Sequence, residues 1–241
     1  MPAEHPETSW PQPFTSTKLD PPALPRGLVD RPDLLRRLIA SDASLILVDA
    51  PAGWGKSSVL AAWSHAIDES RSFVFVRLGT EDNEPRAFWS YVVAAIYGAD
   101  ETVPTEVAEA VAAPGPDSLR TLVPSLSNSL NDSDRSIVLA LDDYHQVTDS
   151  AIHQSVEYLI ERAPRGFQVA IASRTDPPLP LARWRAAGSL EEFRLTDLQL
   201  STSDTRELFA NRFRLDIDHA DAELLCERTE GWPAGIQLAG V

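Results

Sequence analysis

The sequence predicts an α/β domain: a mostly parallel, five-stranded sheet with helices on both faces. Three observations predict it. Short apolar runs recur along the chain and alternate with segments of helical spacing, as βαβ crossovers require. The runs at 44–50 and 136–145 are continuous rather than alternating, as in strands buried on both sides. Glycine, proline or acidic residues close each run, so chemistry-bearing groups collect at strand carboxyl ends.

The elements follow in order. Residues 1–24 are rich in Pro, Ser and Thr without periodicity, and read as a mobile or extended arm. "RPDLLRRLIA" (31–40) is a helix with Pro32 in its first turn and Leu34, Leu35 and Leu38 on one face. "SLILVDA" (44–50) is the first strand. A helix follows, with Val59, Leu60 and Trp63 on its apolar side. "SFVFVRL" (72–78) is the second strand and "EPRAFWSYVVAAIYG" (84–98) a helix. Prolines at 104, 114 and 116 leave room only for a short helix in "TEVAEAVAA", and 117–130 reads as another. The third strand, 136–145, carries two acids near its end; 151–162 is helical; "FQVAIASRTDPP" (167–178) is the fourth strand. "LARWRAAG" is a short helix and "LEEFRL" an edge-like fifth strand. "DTRELFANRF" has an Asp cap with Glu207 three residues on, a capping box in form. A last helical stretch breaks at Gly231–Pro233. The expected organisation is thus an arm (1–24), a core (25–200), and the start of a helical subdomain (201–241).

Composition narrows the function. The 241 residues are 43% hydrophobic, enough for one large domain or a domain with a small appendage. A net charge of -15 and a pI near 4.7 repel nucleic acid and anionic lipid over most of the surface, so an anionic ligand needs a local positive site. The single cysteine, Cys226, allows no internal disulfide. No run approaches a membrane span, and the N-terminus lacks the basic and apolar regions of a secretory signal. A cytoplasmic protein is expected.

One motif supplies the positive site. Ala50-Pro51-Ala52-Gly53-Trp54-Gly55-Lys56-Ser57 has the spacing of a phosphate-binding P-loop between strand and helix. Gly53 and Gly55 let the backbone curl so that N–H groups point at phosphate oxygens, and the helix beginning near Lys56 adds its positive end. Lys56 would reach the β- and γ-phosphates and the Ser57 hydroxyl would ligate Mg²⁺. Ala50 stands where the strict pattern has Gly. Of 21 basic residues only Lys18 and Lys56 are lysines, so a compact ammonium is retained where a guanidinium fork does not serve. The rival reading is a chance match on a surface turn. Asp142-Asp143 closes the third strand: Asp142 would hold Mg²⁺ through water and Asp143 would orient an attacking water, unless the pair is merely a solvated turn. Arg174, directly after "VAIAS", would sense the γ-phosphate; its plain alternative is a surface ion pair with Asp176.

Taken together, these stretches resemble the ATPase domain of the STAND class (signal-transduction ATPases with numerous domains). Within it the chain is similar to the large ATP-binding LuxR-type transcriptional regulators of the maltose-regulon-activator type. The matching stretches are "TKLDPPALPRGLVDRPDLLRRL" (17–38), "APAGWGKSSVLAAW" (50–63), "VLALDDYHQV" (138–147), "ASRTDPPLPLARWRAAGSLEE" (172–192) and "GWPAGIQLAG" (231–240). The resemblance implies that Leu28, Val29 and Arg31 in "LVDRP" wrap the adenine and approach the phosphates, with Asp30 where many members have Gly. It implies that Pro233 packs against the base in an ADP-bound resting form. Lys18 lies in the family's "TKL" segment without an assigned mechanism, and His145 reads as a packing residue beside the acids.

The candidate ATP/ADP contacts are therefore Leu28, Val29, Arg31, Ala52, Gly53, Trp54, Gly55, Lys56, Ser57, Ser58 and Pro233. The candidate Mg²⁺ ligands are Ser57 and Asp142, and the candidate catalytic groups Asp143 and Arg174. The resemblance further implies a slow ATPase switch that self-associates in its ATP state. Family members continue into a winged helix, a helical repeat sensor and a C-terminal helix-turn-helix. None fits in 241 residues, so a fragment is expected, with DNA contact only through a helix-turn-helix absent from this chain. Two rival functions remain: a P-loop small-molecule kinase, against which stands the lack of a compact acceptor site or Arg-rich lid, and a non-hydrolysing nucleotide-binding interaction module.

Overall fold

The structure is a computed structural model that describes residues 15–68, 70–100, 107, 118–133 and 135–241. Most of the N-terminal arm, and all but Val107 of the short helix expected in 105–113, lie outside the described residues.

Five strands form one sheet: β1 (Leu45–Asp49), β2 (Arg71–Arg77), β3 (Ser136–Asp142), β4 (Phe167–Ser173) and β5 (Leu190–Phe193). Their order is β2-β3-β4-β1-β5, and every pair is parallel. The sheet is thus wholly parallel, where the sequence predicts a mostly parallel one. β4 runs between β1 and β3, with Leu47 opposite Ile171 and Ala140 opposite Ala170. Every residue of β4 is buried, which explains why five of its seven residues are apolar. Its two buried polar side chains are bonded: the Gln168 amide donates to the carbonyls of Ser41 and Ala43 and its oxygen accepts from Arg71, and the Ser173 hydroxyl donates to the Thr175 carbonyl.

Alternate residues of each strand feed opposite faces. Leu45 and Leu47 of β1 join one core with α3 (Pro85–Ala99), α4 (Ser118–Asp132) and α5 (Ser150–Arg162), through Phe88, Trp89, Leu126, Ile152 and Leu159. Trp184 of α6 (Leu181–Ala187) joins the same core. Ile46 and Val48 join the other core with α1 (Pro32–Ala40) and α2 (Lys56–Ala66). On that second face β3 and β4 present Ala140, Ala170 and Ala172, small residues that make room for the fully buried Trp63 of α2.

Helix starts follow local chemistry. α3 begins at Pro85 with the Glu84 carboxylate accepting from the Ala87 N–H, and α5 begins after Asp149, which accepts from the Ala151 N–H. After β5 come α7 (Leu195–Leu198), α8 (Thr202–Leu208), a π-helical turn (Phe209–Phe213), α9 (His219–Thr229) and α10 (Pro233–Ala239). One expectation is corrected here. α8 is capped by Ser201, whose hydroxyl accepts from the Asp204 N–H while Asp204 accepts from the Ser201 N–H. Asp204 is thus the third residue of the capping box rather than the cap, because Ser201 offers the same chemistry one turn earlier. These C-terminal helices build a third core, in which Leu200, Leu208, Phe209 and Ile236 enclose Val29.

The described end of the arm is tied down. Residues Ser16–Lys18 form a single 3₁₀ turn, and the Lys18 ammonium lies 2.5 Å from Asp82, 2.6 Å from Glu81 and 5.0 Å from the centre of the Tyr91 ring.

Candidate functional site

The loop between β1 and α2 lies at the carboxyl edge of the sheet. Gly53 and Gly55 both have φ of +79°, the left-handed region that side chains resist. Four successive loop carbonyls are engaged from outside. The Lys56 ammonium donates to Ala50 O at 2.7 Å and Pro51 O at 2.9 Å. The Trp232 indole N–H donates to Ala52 O at 3.1 Å, and the Ala234 backbone N–H donates to Gly53 O at 3.1 Å. Holding the carbonyls this way turns the intervening N–H groups to the other side. Among the described residues, the N–H groups of Ala52 through Gly55 have no hydrogen-bond partner. The first-turn N–H groups of α2 adjoin them, and these are unpaired by the rules of helix geometry. The loop is therefore a concave array of donors suited to an anion.

The two glycines differ in kind. A Cβ on Gly53 would sit 2.7 Å from Ala234 Cβ and 2.7 Å from Trp232 Nε1, whereas a Cβ on Gly55 would meet nothing within 4 Å. Gly53 is needed for close packing, and Gly55 faces open space.

That space continues into a cavity of about 320 Å³. Leu28, Val29, Arg31, Gly53, Trp54, Gly55, Ser58 and Pro233, all singled out from the sequence, line it. Its wall also includes Leu34 and Leu35 of α1, Val59 and Ala62 of α2, Leu198, Leu200, Leu208, Ala234 and Gln237, and the 25–30 segment with Arg26 and Asp30. The Arg31 guanidinium donates to the carbonyls of Asp197 (2.7 Å) and Leu198 (3.2 Å), so it braces the cavity wall. Asp30 does not have the left-handed backbone that would call for Gly; its N–H donates to the Glu207 carboxylate at 3.1 Å.

Lys56 is almost wholly buried. Burial, and then the nearby Arg174 guanidinium, push its ammonium below the ordinary lysine range, while Asp142, Asp143 and Asp49 act in the opposite sense. Arg174 is exposed and makes no ion pair among the described residues; the Asp176 carboxylate pairs with Arg194 instead. Burial raises the Asp142 carboxyl above the ordinary range, an effect the Ser57 hydroxyl partly offsets. One oxygen of Asp142 accepts from the Asp143 N–H at 3.0 Å; the other is buried and has no hydrogen-bond partner among the described residues. Asp143 occupies the left-handed region (φ 57°) and is half exposed at the edge. The His145 Nδ1 lies 3.8 Å from it, and burial keeps that imidazole below its ordinary pKa, hence neutral at pH 7.

The sheet order brings these groups together. β4 lies between the loop strand and the acid strand, so Lys56, Asp142, Asp143 and Arg174 converge at one edge. Sequence reasoning missed Trp232 and Ala234 as partners of the loop, and Gln237, Leu200 and Leu208 as cavity wall. The one advance signal was the Gly-Trp-Pro break itself.

Comparison with known proteins agrees with this geometry. No protein-family model matches the chain. The HTH-type transcriptional regulator MalT of Yersinia enterocolitica is 31% identical over 230 residues, which is 92% of this chain and 24% of that protein. MalT of Serratia proteamaculans is 30% identical over 226 residues, with the same coverage. Over nearly all of its length the chain is homologous to one part of MalT. It spans about a quarter of the length of these curated relatives. Among solved structures, the Walker-type ATPase PABY2304 of Pyrococcus abyssi has the same fold, with a TM-score of 0.55 over 89% of this chain and 67% of that one at 12% identity. A chain from Drosophila ORC bound to DNA superposes with a TM-score of 0.54 over all of this chain and 64% of that one at 13% identity.

Two outcomes are expected from this site. Gly53→Ala destabilises the fold by about 1–3 kcal/mol more than Gly55→Ala, because both strain φ but only the first pushes Trp232 and Ala234 off the loop. Urea unfolding of the two variants measures the difference; equal losses would deny the packing role of Gly53. The second outcome concerns pH. Asp142 has a folded-state pKa above its unfolded value, so as pH rises past the unfolded pKa the unfolded chain ionises first and stability falls until the folded pKa is passed. Asp142→Asn lacks this loss. Its melting temperature relative to wild type therefore climbs by a few degrees from about pH 4 towards neutrality. A pH-independent difference would refute the buried, charge-penalised carboxylate.

Proposed function

We propose that the chain is an ATP/ADP-binding switch module of a signal-responsive transcriptional regulator. The observation that carries this is the capture of the Ala52 and Gly53 carbonyls by Trp232 and Ala234. The phosphate loop and the C-terminal helices share one set of hydrogen bonds, so occupancy of the loop bears on where those helices sit. A nucleotide that binds the two arrangements with different affinity shifts their balance.

In this reading the base enters the apolar cavity and the phosphates meet the free N–H groups of the loop. Lys56 exchanges its carbonyl partners for phosphate oxygens. Ser57 and Asp142 would hold Mg²⁺, and the buried, unpartnered Asp142 oxygen fits that role. Bound there, Mg²⁺ supplies neutralisation of phosphate charge. Among the described residues no cluster of three or more His, Cys, Asp or Glu could hold a metal alone, which suits an ion bound by few protein ligands and by phosphates. Asp143 orients the attacking water and Arg174, without a carboxylate partner among the described residues, meets the γ-phosphate. Hydrolysis is slow and resets the switch. Self-association in the ATP state and DNA contact belong to the longer regulator. The location expected is cytoplasmic; among the described residues no helix is long and apolar enough to cross a membrane.

Lys56→Ala should abolish binding of both ADP and ATP, read from the fluorescence of Trp54, which is buried in the cavity wall. Unchanged ADP affinity would overturn the assignment. Asp143→Asn should retain ATP affinity and slow phosphate release by about 10²-fold or more. Full turnover in that variant would leave the chemistry to another group.

A further inference from the structure

The wall of the cavity above the loop is mostly apolar; its polar side chains belong to Arg26, Asp30, Arg31, Ser58 and Gln237, of which Gln237 alone carries a neutral amide. Gln237 lies on α10, one turn beyond Pro233, so both present the same helix face to the cavity. The rise along a helix places residue 237 about 6 Å further from the loop than residue 233. The orientation of α10 is fixed at two points: the Ala234 N–H is bonded to the loop, and Ile236 is fully buried against Val29, Leu200 and Leu208. Gln237 itself is half-buried. Among the described residues its amide makes no hydrogen bond, although its backbone carbonyl accepts from the Gly240 N–H. The charged groups nearby are otherwise engaged or turned outward. Arg31 is bonded to the carbonyls of Asp197 and Leu198, and the Arg26 and Asp30 side chains are exposed. An apolar slot with a single placed amide is built to orient a flat, mostly apolar ligand by one edge.

We propose that Gln237 is a specificity-determining residue that reads the 6-amino group of an adenine base, and thereby ties base identity to α10. The proposal rests on the nucleotide reading above. Both hydrogen-bonding edges of adenine include the 6-amino group, beside N1 on one edge and N7 on the other. Whichever edge faces α10, the amide oxygen accepts from the 6-amino group while the amide nitrogen donates to the adjacent ring nitrogen. Because α10 also supplies the N–H that holds Gly53 O, a base without this group would leave α10 less firmly held.

The test compares ADP with purine riboside 5′-diphosphate, which lacks the 6-amino group and keeps the rest. Dissociation constants are measured for wild type, Gln237→Ala and Gln237→Leu, the second preserving bulk. Wild type is expected to bind ADP about five- to tenfold more tightly than the analogue, the worth of one neutral hydrogen bond. Both variants are expected to bind the two ligands within about twofold of each other, with melting temperatures near wild type. Variants that keep the full wild-type ratio overturn the role of Gln237, and so does a wild type that does not distinguish the ligands; in either case nucleotide binding itself stands. A wild type that binds neither ligand overturns the nucleotide reading and this inference with it.

Discussion

Four carbonyls, those of Ala50, Pro51, Ala52 and Gly53, decide the character of this site. A peptide plane has two polar ends, and fixing one fixes the other. Lys56 takes the first two carbonyls and the 232–234 segment takes the next two. The N–H groups of Ala52, Gly53 and Trp54, which share peptide planes with the last three of these carbonyls, are thereby turned to the concave side; Pro51 has none to turn. Left-handed glycines permit the curl, but the outward bonds select it. The loop is accordingly a composite object. Half of its external support comes from residues about 180 positions later in the chain, at the start of a helix whose other face is locked into a separate small core.

Chain composition also makes sense at this scale. Most basic side chains here are arginines, and where they pair they do so with carboxylates: Arg185 with Glu192, Arg37 with Glu191 and Asp197, Arg194 with Glu192, Asp49 and Asp176. A planar fork suits such rims. The two lysines act from a single nitrogen, where Arg31 needs both arms of its fork to reach the carbonyls of Asp197 and Leu198. Each meets two acceptors on successive residues, Ala50 and Pro51 for Lys56, Glu81 and Asp82 for Lys18. A small ammonium on a flexible stem can satisfy both from one point. Lys18 thus closes the arm onto the turn after β2, a structural task that its motif alone did not disclose.

The fold was legible because its signals are local. Continuous apolar runs marked β1, β3 and β4, and Pro32 in a first turn marked α1. The phosphate loop and the acids could likewise be read from spacing, and the observed sheet order places them at one edge. What could not be read was long-range. Nothing near Trp232 announces that its indole meets Ala52, and nothing near Gly27 announces that its positive φ lets it pass against the backbone of Arg212. The cavity wall is drawn from five helices and three connecting segments, and a leucine that lines a cavity looks like a leucine that fills a core. The cap of α8 failed for a smaller reason: Ser201 and Asp204 are both good caps, and only the backbone shows which one leads.

The strand order has a consequence for how the chain reaches this state. β1 is a central strand, yet both its neighbours, β4 and β5, are encoded more than a hundred residues after it; Leu45 pairs with Val169 and Leu190. On a ribosome the apolar segment 45–49 emerges early and must wait, without a partner strand, while the whole β2–β3 unit is made. Pairing of such sequence-distant strands is slow, and exposed apolar segments in the interval invite aggregation. The vulnerable period in the life of this protein is therefore its synthesis, and it ends only when the fourth strand slides between the first and the third.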